Sequence, residues 1–200
     1  METLLDQSRL SLYMNPILLH QWAQIACNAT YSSGRLEVIF NSNDTYDLII
    51  VEMFNTDCLL PINHKFNVPI IGMSSCVLLP WTYMRYGIPS NPSYIPNVFM
   101  NYPKVLNFGQ RLENTVFTWI CLLIFKGRNR NDDSIASRYL NGNISHISNY
   151  VENVSLMLVN THFSLNYARP VPPNVIEVGG VHLVPKKKLP QVRKQNYFFE

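Results

Sequence analysis

Short unbroken apolar runs in this chain lie among longer segments of helical periodicity. Residues 46–75 read YDLIIVEMFNTDCLLPINHKFNVPIIGMSS. Within them, residues 48–51 and 68–73 are apolar runs, and residues 57–66 carry an apolar stripe at helical spacing. Runs that are apolar on both faces are typical of buried parallel strands. This segment therefore predicts a strand, a helix and a second strand.

The residues before this unit predict helices. Apolar positions in residues 1–29 recur close to helical spacing, and Pro16 is expected to divide them into two helical pieces, the second over residues 17–29. A short helix is expected over residues 36–40, followed by a polar run that leads into the first strand. The order of helices and strands indicates an α/β layer architecture.

A segment rich in proline and aromatic residues follows the second strand. Residues 80–103 hold five prolines and six aromatic residues. Proline opposes regular strand pairing, and aromatic rings provide bulk. Because ligands bind beyond the carboxyl ends of parallel strands, the segment is interpreted either as a wall of an apolar pocket or as packing cover.

The second half of the chain predicts one long helix and two more strands. Residues 107–127 have a helical pattern whose final cations suit the helix macrodipole, and the polar residues NRNDDS then indicate a break. One more short helix is expected within residues 137–151. Residues 155–160 and 175–178 are candidates for the third and fourth strands. The predicted fold class is α/β, with a Rossmann-like parallel sheet flanked by helices.

Composition narrows the class of protein. The 200 residues are 47% hydrophobic and 14% charged with a net charge of +3, which excludes disorder for most of the chain and gives no basic face for nucleic acid. We expect one domain over residues 1–185 and a basic tail over residues 186–200, solvated rather than bound to phosphate or membrane. The amino terminus is too polar for a signal peptide. Residues 116–125 are too short to cross a bilayer and predict a core or interfacial helix.

Cysteines and asparagine sequons give weak information about the compartment. The four cysteines lack CxxC spacing, so buried thiols are expected rather than a zinc site or any other metal site. Sequons begin at Asn28, Asn43, Asn143 and Asn153. Roughly 2.5 are expected by chance from this composition, so they only weakly indicate the secretory pathway.

Polar side chains stand at the ends of the first two predicted strands. Glu52 ends the first and Ser74 and Ser75 end the second. A carboxylate there can orient a catalytic partner, cap the next helix or simply stay solvated. Asp57 is a typical helix N-cap. The serines lack a GxSxG elbow, and the five histidines match no catalytic or metal motif, although His162 could face the same cleft as Glu52.

The chain resembles a known family in five segments, which occur in the family's order: YDLIIVEMFNTDC, HKFNVPIIGMSS, LPW, NPSYIPN and SLMLVNTHFSLNYARPVPPNVIEVGGVHL. These segments are similar to the amino-terminal, acceptor-binding half of the membrane-anchored UDP-glycosyltransferases of animals, those of insects in particular. The resemblance covers residues 22–190. It implies that the chain is an incomplete amino-terminal domain of a GT-B fold.

The resemblance implies hexosyl transfer from a UDP-sugar, as co-substrate, to a small lipophilic hydroxyl acceptor, with inversion and without a metal. In the family a histidine near the start of the domain deprotonates the acceptor hydroxyl, and a carboxylate at a strand end holds that histidine. The resemblance also implies a role in detoxification and a lumenal, membrane-associated place at the endoplasmic reticulum. No tightly bound cofactor is expected.

The resemblance also assigns residues. Glu52 falls where many members have the partnering aspartate, which is one methylene shorter. Substrate-binding positions are expected at Phe54, Asp57, Ser74, Ser75 and Trp81. None of the five histidines matches the family's base, and the family's UDP-sugar half and membrane anchor are not among these 200 residues.

Two functional hypotheses follow from these assignments. The first is a partial UDP-glycosyltransferase that transfers no sugar by itself. The alternative is a non-catalytic module that binds acceptor or regulates full-length family members by pairing with them. Contact with a membrane surface through residues 107–130 is expected, and binding of nucleic acid is not.

Overall fold

The structure, a computed structural model, describes residues 9–140, 145–166 and 169–184. Four parallel strands form one sheet in sequential order: β1 (Ile49–Glu52), β2 (Ile70–Ser74), β3 (Val154–Val159) and β4 (Val175–Glu177). All four coincide with the predicted apolar runs, so the α/β class with a Rossmann-like parallel sheet flanked by helices is confirmed. The predicted tail over residues 186–200 and its boundary lie outside the described residues.

Seven α-helices and one 3₁₀ turn surround the sheet in the described part of the chain. The helices are α1 (Arg9–Ser32), α2 (Arg35–Asn41), α3 (Asn63–Phe66), α4 (Pro80–Arg85), α5 (Phe108–Tyr139), α6 (Ile147–Glu152) and α7 (Phe163–Asn166), and the 3₁₀ turn, Leu60–Ile62, precedes α3. None of the helices within these ranges has the length and apolar character that a bilayer span requires.

The core beneath the sheet explains the glycine in β2. Met53, Ile70, Met157 and Val159 are buried in one apolar cluster that joins all four strands. A Cβ at Gly72 would lie 2.7 Å from the sulfur of Met53 and 2.8 Å from that of Met157. A side chain at this position would therefore have to displace the two methionine sulfurs that pack over the interior strand.

Pro16 does not divide the first helix, so that prediction is wrong. The helix α1 runs without interruption from Arg9 to Ser32 and contains Pro16, which is fully buried. Proline removes one hydrogen bond of the helix ladder. Packing offsets that loss, because α1 lies along α5 and Tyr13 meets Phe117 edge to face, 5.1 Å between ring centroids.

The polar break predicted after residue 127 is also wrong, because α5 continues through it. Its buried face consists of residues three and four positions apart, with Cys121 and Phe125 followed by Arg128, Asp132 and Ala136. Arg128 Nη1 donates to Asp132 Oδ2 over 2.8 Å. Because two core positions of the helix hold a charged pair instead of apolar residues, the hydropathy pattern wrongly indicated a break. The cations therefore lie within the helix rather than at its end.

A disulfide joins Cys27 of α1 to Cys58 in the loop after β1. The expectation of buried thiols is wrong for this pair and correct for Cys121, while Cys76 is a half-buried thiol. The two bonded cysteines are 31 residues apart in sequence. Only the packing of α1 against the loop brings their Cα atoms to 6.0 Å, a normal disulfide separation.

Candidate functional site

The carboxyl ends of the four strands meet at one edge of the sheet, and polar side chains lie along it. Glu52 ends β1, Ser74 ends β2 and Glu177 ends β4, while Ser75 and Asn160 follow β2 and β3 directly. The strands are parallel and paired in register, so these ends are neighbours. The structure thus brings the predicted residues Glu52, Ser74 and Ser75 to a common edge.

Glu52 is exposed, and Ser75 holds one of its two carboxylate oxygens. The backbone N–H and the side-chain O–H of Ser75 both donate to Glu52 Oε1, each over 3.0 Å. Within the residues that the structure describes, Oε2 has no hydrogen-bond partner. One oxygen is therefore fixed, while the other remains able to accept a hydrogen bond from an incoming group.

Asn160 joins three strand ends and was not found by sequence reasoning. Its backbone N–H donates to the Ser74 carbonyl over 2.9 Å, and its side-chain amide donates to the Ser75 carbonyl over 2.9 Å. Its Oδ1 accepts from the backbone N–H of Gly180 after β4, over 3.0 Å. The side-chain amide also lies 3.4 Å from His182 Nδ1. The available signal was an amide residue directly after an apolar strand run.

The turn after β4 packs tightly against this edge. Thr161 Oγ1 donates to Glu177 Oε1 over 2.9 Å, and a Cβ at Gly179 would lie 2.6 Å from the Thr161 carbonyl oxygen. His162 is exposed and bonds through Nδ1 to the Ser164 hydroxyl over 2.7 Å, not to Glu52. Among the described residues, no three histidine, cysteine or acidic side chains form a metal-binding group.

The other predicted substrate-binding residues form a separate, more buried group. Trp81 Nε1 donates to the Phe54 carbonyl over 3.3 Å, and the Trp81 ring stacks on Phe125 with centroids 5.1 Å apart. Asp57 is buried and forms an ion pair with Arg85 of α4, with 2.7 Å between Asp57 Oδ2 and Arg85 Nη2. The two groups are not aligned for a hydrogen bond. The prediction that Asp57 caps a helix is wrong, because the pairing with Arg85 draws its carboxylate into the core.

His20 lies inside this group and is unsuited to act as a base. Only 5% of its surface is exposed, and its ring contacts those of Trp81 and Phe125 at centroid distances of 4.7 and 5.8 Å. Neither ring nitrogen has a hydrogen-bond partner. Burial, and secondarily the positive charge of Arg128, lowers the pKa of His20 to about 4. The imidazole is therefore neutral near neutral pH.

The ion pair on α5 completes the buried group. Thr56 Oγ1 donates over 3.0 Å to Asp132 Oδ2, the same oxygen that accepts from Arg128. Burial raises the pKa of Asp132, and Arg128 and the Thr56 hydrogen bond oppose that rise. Burial likewise lowers the pKa of Arg128, against the attraction of Asp132. These charges are compensated by each other and leave none directed at a ligand.

Space for a ligand lies beside the buried group rather than at the sheet edge. A cavity of about 540 Å³ between α4, α5 and α6 is lined mainly by Trp81, Met84, Trp119, Leu122, Leu123 and Phe125. The cavity at the ends of β3 and β4, beside Thr161, Arg169 and Glu177, holds only about 30 Å³. A small lipophilic molecule fits the first volume and not the second.

The proline-rich segment serves both of the purposes considered for it. Its first residues form α4, which lines the larger cavity. Farther along, Asn114 of α5 donates to the carbonyls of Pro92 and Ile95 over 2.6 and 2.8 Å and accepts from the Asn97 N–H over 2.8 Å. This buried amide ties the irregular chain to α5, so that part of the segment is packing cover.

Comparison with known proteins agrees with the motifs. The family model described as UDP-glucoronosyl and UDP-glucosyl transferase matches residues 18–197. UDP-glycosyltransferase UGT5 of Dactylopius coccus is 38% identical over 161 residues, covering 78% of this chain and 30% of that protein. UDP-glycosyltransferase UGT4 of the same insect is 32% identical over 197 residues, covering 96% of this chain and 38% of that protein. UDP-glucuronosyltransferase 3A1 of Bos taurus is 29% identical over 150 residues, covering 74% and 28%.

The chain spans about a third of the length of these relatives. No solved structure matches it. The family model nevertheless covers most of its residues, in the region where the sequence motifs occur, and the predicted resemblance to insect members is confirmed. The chain belongs to the UDP-glucoronosyl and UDP-glucosyl transferase family.

Proposed function

We propose that the chain is the acceptor-binding part of an inverting, metal-independent UDP-glycosyltransferase that conjugates small lipophilic hydroxyl compounds in detoxification. In the complete reaction a histidine removes the proton of the acceptor hydroxyl. The acceptor oxygen then bonds to the anomeric carbon of the UDP-sugar while UDP leaves. The role proposed for Glu52 is to accept a hydrogen bond from that histidine through Oε2 and so orient the base.

The observation that supports this role most directly is the state of the Glu52 carboxylate. It is exposed at the carboxyl end of a parallel strand, where α/β proteins bind ligands. Ser75 fixes one oxygen and leaves the other without a partner among the described residues. In contrast, the carboxylates of Asp57 and Asp132 are buried in ion pairs.

The chain by itself is expected to transfer no sugar, because none of its five histidines is hydrogen-bonded to Glu52 in the described part of the chain. The test is transfer from UDP-glucose or UDP-glucuronate to a phenol by the purified 200-residue chain. No product is expected. Turnover that Glu52→Ala abolishes would contradict this expectation.

Acceptor binding is proposed to use the cavity of about 540 Å³ beside Trp81. Aromatic and aliphatic side chains line more than half of it and polar side chains line the rest, and its volume suits a molecule of the size of naphthol, which carries one hydroxyl group. Equilibrium dialysis with labelled 1-naphthol should detect binding, and Trp119→Ala should weaken it about tenfold by removing one aromatic wall. The matched control is Trp22→Ala, which removes an exposed tryptophan from α1 outside the cavity. Equal affinities of the two variants would argue against the cavity.

A membrane surface is proposed as the route by which lipophilic acceptors arrive. The large exposed apolar side chains on one face of α5 are Phe108, Leu112, Val116, Trp119, Ile120 and Leu123. Exposed Lys126 and Arg130 continue the same face, which suits anionic headgroups. Co-sedimentation with anionic vesicles should be lost in Leu112→Asp and retained in Val38→Asp, a matched change on α2. Equal sedimentation of both variants would exclude this face.

We propose that the protein is located in the lumen of the endoplasmic reticulum, because two features of its structure suit the secretory pathway. The disulfide between Cys27 and Cys58 forms in an oxidising compartment. Sequon residues Asn28, Asn43 and Asn153 are exposed, whereas Asn143 lies outside the described residues. Digestion of the native protein with an N-glycosidase should increase its mobility. If Cys27 and Cys58 were both free thiols and the glycosidase left the electrophoretic mobility unchanged, a lumenal location would be contradicted.

The alternative, a module that pairs with full-length members, has one observation of its own. The strand β1 is at an edge of the sheet in the described structure; Leu48, just before it, is 41% exposed, and Ile50, within it, is 62% exposed. An open edge can pair with another strand. Co-purification with a full-length relative, abolished by Ile50→Pro, would favour this function over acceptor binding.

A further inference from the structure

We propose that Asn160 and Ser75 are positioning residues for Glu52, acting in series from the interior of the sheet to its exposed edge. The inference rests on the proposed function, since Glu52 needs a fixed orientation only if it directs a base. Neither residue contacts the base or the acceptor in this scheme. Their effect on the reaction passes through the Glu52 carboxylate.

The first step is the attachment of Asn160. Its side chain cannot rotate without losing the bonds to the Ser75 carbonyl, 2.9 Å, and the Gly180 N–H, 3.0 Å. Its backbone N–H continues the β2–β3 ladder to the Ser74 carbonyl over 2.9 Å. Together the three bonds hold the two peptides on either side of Ser75 relative to β3 and to the turn after β4.

The second step is the orientation of Ser75. The Ser74 carbonyl accepts from the Asn160 N–H, so the Ser75 N–H of the same trans peptide points to the opposite side, toward Glu52 of β1. The N–H and O–H of Ser75 both donate to the same oxygen of Glu52 over 3.0 Å. Two donors on one oxygen restrict the rotation that a glutamate side chain otherwise has, so the second oxygen, Oε2, points in one fixed direction. This also compensates for the additional methylene of glutamate relative to aspartate.

The test measures amide hydrogen exchange by NMR in the complete 200-residue chain, so it does not need activity. The Ser75 N–H should exchange about tenfold more slowly than in Glu52→Ala, the change expected for loss of a hydrogen bond to a charged group. Asn160→Asp keeps the acceptor for the Gly180 N–H but replaces the donor to the Ser75 carbonyl with a charged oxygen, and should give a similar acceleration at the Ser75 amide. Ser134→Ala, which removes an exposed hydroxyl on α5, is the control and should change nothing at Ser75.

Titration with free imidazole, as a substitute for the base, separates positioning from a merely structural role. Imidazole should shift the Ser75 and Glu52 signals of the native chain, bind several-fold more weakly to Ser75→Ala, and bind normally to Ser75→Thr, which keeps the hydroxyl. Exchange at Ser75 that is unaffected by Asn160→Asp, or equal imidazole binding by Ser75→Ala and the native chain, would overturn the proposal. Failure of naphthol binding would instead count against the proposed function alone.

Discussion

Two regions of this protein hold charged residues in opposite ways. At the carboxyl edge of the sheet, Glu52 is exposed and is held by neutral donors on one oxygen only. Between α1, α4 and α5, the side chains of Asp57, Arg85, Arg128 and Asp132 are largely or fully buried and neutralise each other. The difference separates groups that can act on a ligand from groups that hold the fold. Substitutions should therefore have unequal effects in the two regions.

The largest effect is expected when the ion pair on α5 loses one partner. Asp132→Ala leaves Arg128 charged and almost completely buried, so the free energy of unfolding should fall by about 4 kcal/mol. Urea denaturation measures the change. The double variant Arg128→Leu with Asp132→Leu should be much closer to the native chain, because it leaves no uncompensated charge. A single variant as stable as the double one would contradict this account of the buried region.

Removal of the disulfide should have the next largest effect. Cys58→Ala releases the link from α1 to the loop after β1, and the loss of stability expected for cysteines 31 residues apart is about 3.7 kcal/mol. The matched control is Cys76→Ala, which removes a half-buried free thiol. Reduction of the native chain with dithiothreitol should lower its stability to that of Cys58→Ala. If reduction has no effect, α1 is held by packing alone.

The buried imidazole predicts a specific pH dependence. Because the pKa of His20 is about 4 in the folded chain, below the ordinary value of 6.5, the unfolded chain takes up the proton first as the pH falls. The contribution of His20 to the free energy of unfolding is complete above about pH 6.5. It is lost as the pH falls from 6.5 to about 4. About 2 kcal/mol should be lost between pH 7 and pH 5.

The variant His20→Phe identifies the source of that slope. It keeps an aromatic ring against Trp81 and Phe125 but cannot titrate, so denaturation midpoints measured at pH 7 and pH 5 should differ much less. His64→Phe, at an exposed position on α3, should keep the native slope. A full slope in His20→Phe would assign the pH dependence to other groups, such as the neighbouring carboxylates.

The smallest effect on stability is expected at the sheet edge. Glu52→Ala and Ser75→Ala remove exposed side chains, so each should change the free energy of unfolding by no more than about 0.5 kcal/mol. Urea denaturation should show this alongside normal 1-naphthol binding. A loss as large as that of Asp132→Ala would place Glu52 among the structural charges and remove the contrast between the regions.

The two regions also differed in how well the sequence predicted them. The edge was predictable because parallel strands are apolar on both faces and end abruptly on polar residues, as at Glu52 and Ser74. The start of α5 was equally readable, since Asn107 and Gln110 form a reciprocal capping box within four residues. Each of these signals depends on neighbours in sequence. They correctly gave the strands and the α/β class, and they placed Glu52 at the end of β1.

The buried group was predicted poorly because the state of each of its members depends on what packs around it in the folded chain. Asp57 resembles a helix cap until Arg85 is placed beside it, and Arg128 and Asp132 resemble a loop until they pair within α5. Pro16 resembles a helix breaker until burial outweighs the lost hydrogen bond. The pairing of Cys27 with Cys58 leaves no local pattern at all.

The sequence by itself determined the four strands and their order along the chain, the family and the position of Glu52 at a strand end. Tertiary structure alone decided which oxygen of Glu52 is fixed, that Asn160 joins three strand ends, and which charged residues are buried. The physical reason is range. Hydrophobic periodicity and capping act between residues a few positions apart, whereas hydrogen bonds across the sheet, the disulfide and the ion pair of Asp57 with Arg85 join residues that only the folded chain brings together.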